Sequence, residues 1–209
     1  MRLEKLPHTS VIIGGMSAER GKFVSRAGEK LEAALEAFRL DVRDAICADF
    51  GCNVGGFTDC LLQRGAKKVY AVDTGYGQLA WRLRNDPRLK VMERTNALYA
   101  PPPEPVDLVV IDVAWTPQGL IVPAAMRWLK PCRGKVVSLL KPHYELAKMQ
   151  RRKPAAPLKL SQAGAVCLDV CQRLKESGCT VQSAMRSVLR GKGGNVEFFL
   201  LLVAEPLRT

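Results

Sequence analysis

Ile46-Cys47-Ala48-Asp49-Phe50-Gly51-Cys52-Asn53-Val54-Gly55-Gly56-Phe57-Thr58-Asp59-Cys60 is the stretch from which the fold can be read. A short apolar strand ends in an acid, the chain turns on Gly51, Gly55 and Gly56, and a helix opens at Phe57-Thr58, where backbone N–H groups have no partner inside the helix. Glycine is needed where backbone must approach a ligand closely or take positive φ. The order Asp-x-Gly-x-x-x-Gly-Gly differs from the Gly-x-Gly-x-x-Gly of dinucleotide binders. A second strand over 68–72 ends at Asp73, placed to accept from two ribose hydroxyls. An acid after each of two strands around a glycine turn suits S-adenosylmethionine, whose ammonium and ribose favour carboxylates. The plain alternative is any doubly wound α/β domain with a glycine-rich first turn.

Outward from this unit, the spacing of Leu31, Ala34, Leu35 and Phe38 behind a capping Ser25 predicts a helix over 25–38, with Lys30 beside its apolar stripe. Residues 1–22 read as an extension with no assignable element, and 23–209 as one domain. After the glycine turn we expect helices over 57–63 and 78–84 and a third strand over 89–92, with Asn96 beyond it placed to read an adenine edge. A buried-type strand over 107–111 ends in Asp112, and a strand over 135–140 ends in Lys141. Charged groups at the carboxyl ends of parallel strands are where open α/β sheets build their sites. Between these two strands we expect a helix over 119–129; residues 148–159 read as a basic, proline-broken loop and 161–177 as a long helix. Strands over 180–187 and 195–203 are joined too closely to be anything but antiparallel. The expected fold is a Rossmann-like α/β domain of methyltransferase type: a seven-stranded, mostly parallel sheet with a carboxyl-terminal antiparallel pair and helices on both faces.

Lys plus Arg exceed Asp plus Glu by 32 to 20, a net charge of +12 that favours a polyanionic partner, nucleic acid first. Seven cysteines without a C-x-x-C pair point to reduced thiols in the cytoplasm, and two histidines make a structural metal site a poor expectation. No run reaches the length of a membrane span.

Lys30, Asp112, Lys141 and Glu197 together resemble the catalytic tetrad of the FtsJ-like RNA 2′-O-methyltransferases. Ser-Arg-Ala-Gly-Glu-Lys-Leu at 25–31, Gly-Gly-Phe-Thr-Asp-Cys-Leu-Leu at 55–62, Val-Tyr-Ala-Val-Asp at 69–73, Tyr-Gly-Gln-Leu-Ala-Trp at 76–81 and Gly-Asn-Val-Glu-Phe at 194–198 are similar to its TlyA, or haemolysin-A-like, branch of ribosomal RNA methyltransferases. The resemblance implies methylation of a ribose 2′-hydroxyl in ribosomal RNA or ribosomal subunits. It implies a cofactor held by Asp49, Gly51, Gly55, Gly56 and Phe57, with Cys52, Asn53 and Thr58 in the same loop, its ribose on Asp73, its adenine near Asn96, and Asp112 beside both substrates. The chain departs from the branch at Cys52-Asn53-Val54, at Val113-Ala114-Trp115 where Ser-Phe is usual, and at His143-Tyr144 in place of Gln-Phe. The branch usually carries an S4-type RNA-binding domain ahead of the first motif, and 22 leading residues are too few for one, so RNA docking is expected to rely on a separate docking partner, the basic loop or the surface.

The implied reaction needs a group to take the hydroxyl proton. Lys141 is the candidate base, with Lys30 and desolvation favouring its neutral form and Asp112 and Glu197 orienting the amines. Two other readings remain open from sequence: a noncatalytic RNA- or ribosome-binding protein on this fold, and a methyltransferase for another substrate. Base or amine methylation draws on an Asn/Asp-Pro-Pro-aromatic motif, and Asp112-Val113-Ala114-Trp115 lacks the prolines.

Overall fold

The computed structural model describes residues 21–153 and 157–203. Residues 1–20 of the extension expected over 1–22, and the centre of the basic loop, 154–156, therefore lie outside the described residues. Seven strands form one sheet: β1 (Ile46–Phe50), β2 (Lys68–Val72), β3 (Leu89–Met92), β4 (Leu108–Ile111), β5 (Lys135–Leu140), β6 (Thr180–Arg186) and β7 (Phe198–Val203), in the order β3-β2-β1-β4-β5-β7-β6. The first five are parallel, and β7 runs antiparallel between β5 and β6. The fold is the one expected.

Among the described residues six α-helices cover the sheet: α1 (Arg26–Ala37), α2 (Gly56–Gln63), α3 (Trp81–Arg84), α4 (Gln118–Met126), α5 (Pro142–Met149) and α6 (Leu160–Glu176). Strand alternation divides the core. Cys47 of β1 packs with Leu31, Leu35, Phe57 and Leu61 of α1 and α2 on one face, while Ala48 and Phe50 pack with Ile121, Trp128, Val170 and Leu174 on the other. All four residues of β4 are buried, so the centre of the sheet carries no solvent-facing side. Asp49 follows the parity of Cys47 and is turned toward α2.

Several elements differ from expectation. α2 begins one residue earlier, at Gly56, behind Gly55 at φ 98°. The third helix is only Trp81–Arg84, and α4 ends at Met126. Trp128, beyond that end, turns into the core and donates from Nε1 to the Ala100 carbonyl at 3.0 Å. A further difference is α5: Lys141 caps it and Pro142 takes its first position, where the missing N–H is no loss. Lys148 and Met149, read as loop, complete it. Glu197 stands one residue before β7 rather than within it.

Candidate active site

The reversal of strand order between β1 and β4 opens a crevice at the carboxyl ends of the strands, and the glycine turn fills one side of it. Gly51 (φ 84°) lies so close to the end of β4 that a Cβ there would stand 2.6 Å from the Asp112 carbonyl oxygen. Its N–H donates to the Val72 carbonyl at 2.8 Å, and the Gly55 N–H closes the turn on the Cys52 carbonyl at 2.7 Å. A Cβ on Gly56 would meet Ser25 Oγ and Ala27, so this glycine lets α1 dock on the turn and brings Lys30 toward the crevice.

A cleft of about 170 Å³ results, lined by Gly51, Cys52, Asn53, Gly56, Phe57 and Asp112, with Ser25, Ala27, Val54, Ala114 and Lys141 completing it. The other residues expected to hold the cofactor stand outside this lining. Asp73 orders the turn: Oδ2 accepts from Asn53 N–H at 2.8 Å and Oδ1 from Gly75 N–H at 2.7 Å. Gly55 packs toward Leu79 and Leu83. Asn96 is exposed after β3, its Oδ1 accepting from Leu98 N–H at 3.0 Å. Asp49 and Thr58 are wholly buried beneath the turn, where Thr58 Oγ1 donates to Asp49 Oδ2 at 2.7 Å. Asp49 Oδ1 has no partner among the described residues. Burial pushes this carboxyl up to about 7; the Thr58 bonds oppose the shift, and the charges of Asp112 and Asp73 add to it. Burial also raises the Cys52 thiol, which is therefore an unreactive wall of the cleft.

A second cavity of about 140 Å³ adjoins the first, lined by Lys30, Asp112, Lys141, His143, Tyr144, Lys192 and Glu197. All four tetrad residues meet here, from α1, the end of β4, the end of β5 and the start of β7. They form two ion pairs: Lys30 Nζ donates to Glu197 Oε2 at 2.7 Å, and Lys141 Nζ lies 2.5 Å from Asp112 Oδ1. Asp112 and Lys141 line both cavities. Whatever occupies the glycine-turn cleft is thus separated from the tetrad cavity by one ion pair.

Three residues at this cavity were not singled out as site residues from sequence. His143 and Tyr144 stand on the first turn of α5, and the Tyr144 ring lies 4.9 Å from Trp115, which is 62 % exposed. Burial and the Lys141 charge hold His143 below its ordinary pKa. Lys192 comes from the β6–β7 loop. A helix-start signal at Pro142 could have revealed the first two; nothing local marks Lys192. A larger depression, about 440 Å³, is lined by Arg39, Asp41, Arg43 and Arg64 with Leu35, Glu36 and Leu40, and holds the surface ion pairs Arg43–Asp41 and Arg64–Glu36. Among the described residues no three His, Cys, Asp or Glu side chains are grouped as metal ligands, and no helix is long and apolar enough to cross a membrane.

Residues 23–203 match the family model described as FtsJ-like methyltransferase. The chain is 42% identical over 186 residues to the 16S/23S rRNA (cytidine-2′-O)-methyltransferase TlyA of Mycobacterium tuberculosis, covering 86% of this chain and 68% of that protein. It is 35% identical to Hemolysin A of Brachyspira hyodysenteriae, over 85% of this chain and 75% of that protein. Among solved structures, a Streptococcus thermophilus protein carrying a hemolysin name superimposes with a TM-score of 0.82 at 38% identity, covering 91% of this chain and 70% of that one.

Proposed function

The chain belongs to the FtsJ-like methyltransferase family, and from that premise we propose that it transfers the methyl group of S-adenosylmethionine to a ribose 2′-hydroxyl of RNA, ribosomal RNA being the substrate to try first. One observation carries the reading: the four tetrad side chains converge on a cavity that shares Asp112 and Lys141 with the glycine-turn cleft. The cleft suits the cofactor in its chemistry. Its floor is backbone that a Cβ at Gly51 would obstruct, and Asp112 supplies a carboxylate. When bound, S-adenosylmethionine supplies an electrophilic methyl on a sulfonium.

The protein's own residues must place the hydroxyl and remove its proton. Lys141 Nζ is the proton acceptor in this proposal. Lys141 Nζ pairs with Asp112 Oδ1 at 2.5 Å, in the wall shared by both cavities. Glu197 fixes Lys30, and Asp112 fixes Lys141, so the two amines are held in place before substrate arrives. General base catalysis of this kind contributes roughly 10²- to 10⁴-fold, and alignment of the two substrates adds to it. The exposed Trp115 beside Tyr144 offers a flat surface on which a base next to the cavity can stack.

The test is transfer of labelled methyl to ribosomal subunits and to naked ribosomal RNA, followed by nuclease mapping. Wild type should place label on a ribose, while Lys141→Ala binds S-adenosylmethionine normally and turns over at background. Normal turnover by the variant removes Lys141 from the role. Cofactor binding without any RNA labelling turns the reading toward another substrate, and absence of both activities favours a noncatalytic RNA-binding protein.

A further inference from the structure

The loop joining β6 to β7 encloses a cavity that the reaction above does not use. It measures about 110 Å³ and is lined by Arg186, Ser187, Val188, Leu189, Arg190 and Glu197, with Val196. Its walls are fixed by backbone: Ser187 N–H donates to the Glu197 carbonyl at 2.9 Å, one step past the end of β6, and Gly191 N–H donates to the Asn195 carbonyl at 2.9 Å.

Two independent features give the cavity the chemistry of an anion site. Ser187 is 7% exposed, and its Oγ has no hydrogen-bond partner among the described residues. Arg186 and Arg190 are exposed, both line this cavity beside Ser187, and neither pairs with a carboxylate among those residues. Arg190 donates through Nη1 to the Gly194 carbonyl at 3.0 Å, which ties its guanidinium to the loop and leaves its other N–H groups unspent. The carboxylate in the wall, Glu197, is already neutralised by Lys30 at 2.7 Å. What the wall offers is two guanidinium forks and a hydroxyl, a donor set matched to the oxygens of a phosphate.

We propose that this cavity binds a backbone phosphate of the RNA, adjacent to the nucleotide being methylated. The inference rests on the tetrad cavity being the methyl-acceptor site. Glu197 lines both cavities, so a phosphate held by Arg186 and Arg190 lies one side chain away from the ribose presented to Lys141. Phosphate contacts carry no sequence information but fix register. The site therefore sets which ribose along the strand reaches the base.

The experiment compares two charge-matched double variants, R186Q/R190Q and R39Q/R133Q, in methyl transfer to ribosomal RNA over a range of salt and in S-adenosylmethionine binding. Arg39 and Arg133 are exposed and precede β1 and β5, at the opposite ends of the strands. R186Q/R190Q should raise KM for RNA by roughly 10- to 100-fold and flatten the dependence of log affinity on log salt by about 0.7, the share of one single-strand phosphate, with cofactor affinity unchanged. R39Q/R133Q should match wild type in KM. Because Arg190 also orders its loop, R186Q alone carries the test if the double variant loses cofactor binding. S187A adds a readout that packing would not produce: it should raise the melting temperature of the free protein, by removing an unpartnered hydroxyl, yet weaken RNA binding. Equal effects of the two double variants would reduce the site to bulk charge and overturn the proposal. So would wild-type behaviour of R186Q/R190Q in a protein that methylates RNA. If wild type methylates no RNA at all, the acceptor-site reading beneath it fails first, and the two failures are told apart.

Discussion

Asp49→Asn is the perturbation whose effect the structure fixes most closely. The carboxyl is wholly buried, accepts from Thr58 Oγ1 at 2.7 Å through one oxygen, and has nothing opposite the other. Desolvation lifts it from the ordinary 3.8 to about 7 in the folded protein. Between those values the unfolded chain has released the proton while the folded one keeps it, so unfolding liberates a proton and stability falls as pH rises. The full loss, at about 1.4 kcal/mol per pH unit, approaches 4 kcal/mol and levels off above the folded value. An amide keeps the acceptor for Thr58 and cannot ionise. The stability of D49N relative to wild type should therefore grow by roughly 2 to 3 kcal/mol between about pH 5 and about pH 8. Urea unfolding followed by the fluorescence of the buried Trp128, performed on both proteins across that range, measures it directly. Titrations of groups away from Asp49 are common to both proteins and cancel in the difference. A difference that stays constant with pH, or that shrinks toward alkaline pH, would refute the assignment of a protonated Asp49.

Gly51→Ala puts a side chain at φ 84° and 2.6 Å from the Asp112 carbonyl, whereas Gly77→Ala, at φ 73° with nothing within 4 Å, meets backbone strain alone. We expect G77A to cost about 1 to 2 kcal/mol and G51A clearly more, with cofactor affinity, by calorimetry, lost only in G51A. Glu197→Gln leaves the Lys30 ammonium, 12% exposed, with a neutral acceptor; turnover should fall roughly 10²-fold or more while cofactor affinity holds, and an unchanged kcat would exclude Glu197 from the machinery. Trp115→Ala should raise KM for RNA by an amount equal to about 1 to 3 kcal/mol of stacking, without altering cofactor binding. A KM equal to that of wild type would leave the exposed ring without a role.

The β1–turn–α2 unit was legible because a central parallel strand is buried on both faces and reads as one apolar run, and because glycines at 51, 55 and 56 have few other uses beside an acid. Lys141 was legible for the same reason, as a charge closing the apolar run of β5. The helix after it was not, since that residue is also the cap of α5 and a strand that passes straight into a helix leaves no turn residues to separate them. His143 and Tyr144 thus stayed hidden, and so did Trp115, whose meaning depends on Tyr144 standing across from it. The antiparallel pairing of β6 and β7 could be read from their short link, but either strand could have lain next to β5. Only the insertion of β7 carries Glu197 to Lys30, and the apolar pattern of the two strands does not choose between the orders.

That insertion makes one half of the proposed tetrad depend on a contact between distant parts of the chain. Lys30 and Glu197 are 167 positions apart, and the contact between them closes nearly the whole described chain into one loop. Contacts of such separation form late, after the local units they join. On a chain emerging from its amino end, the cofactor turn, Asp112 and Lys141 are all made before β7 exists. In the proposed reaction, Lys30 would therefore have no Glu197 to hold it until the segment that carries β7 had been made and had inserted beside β5.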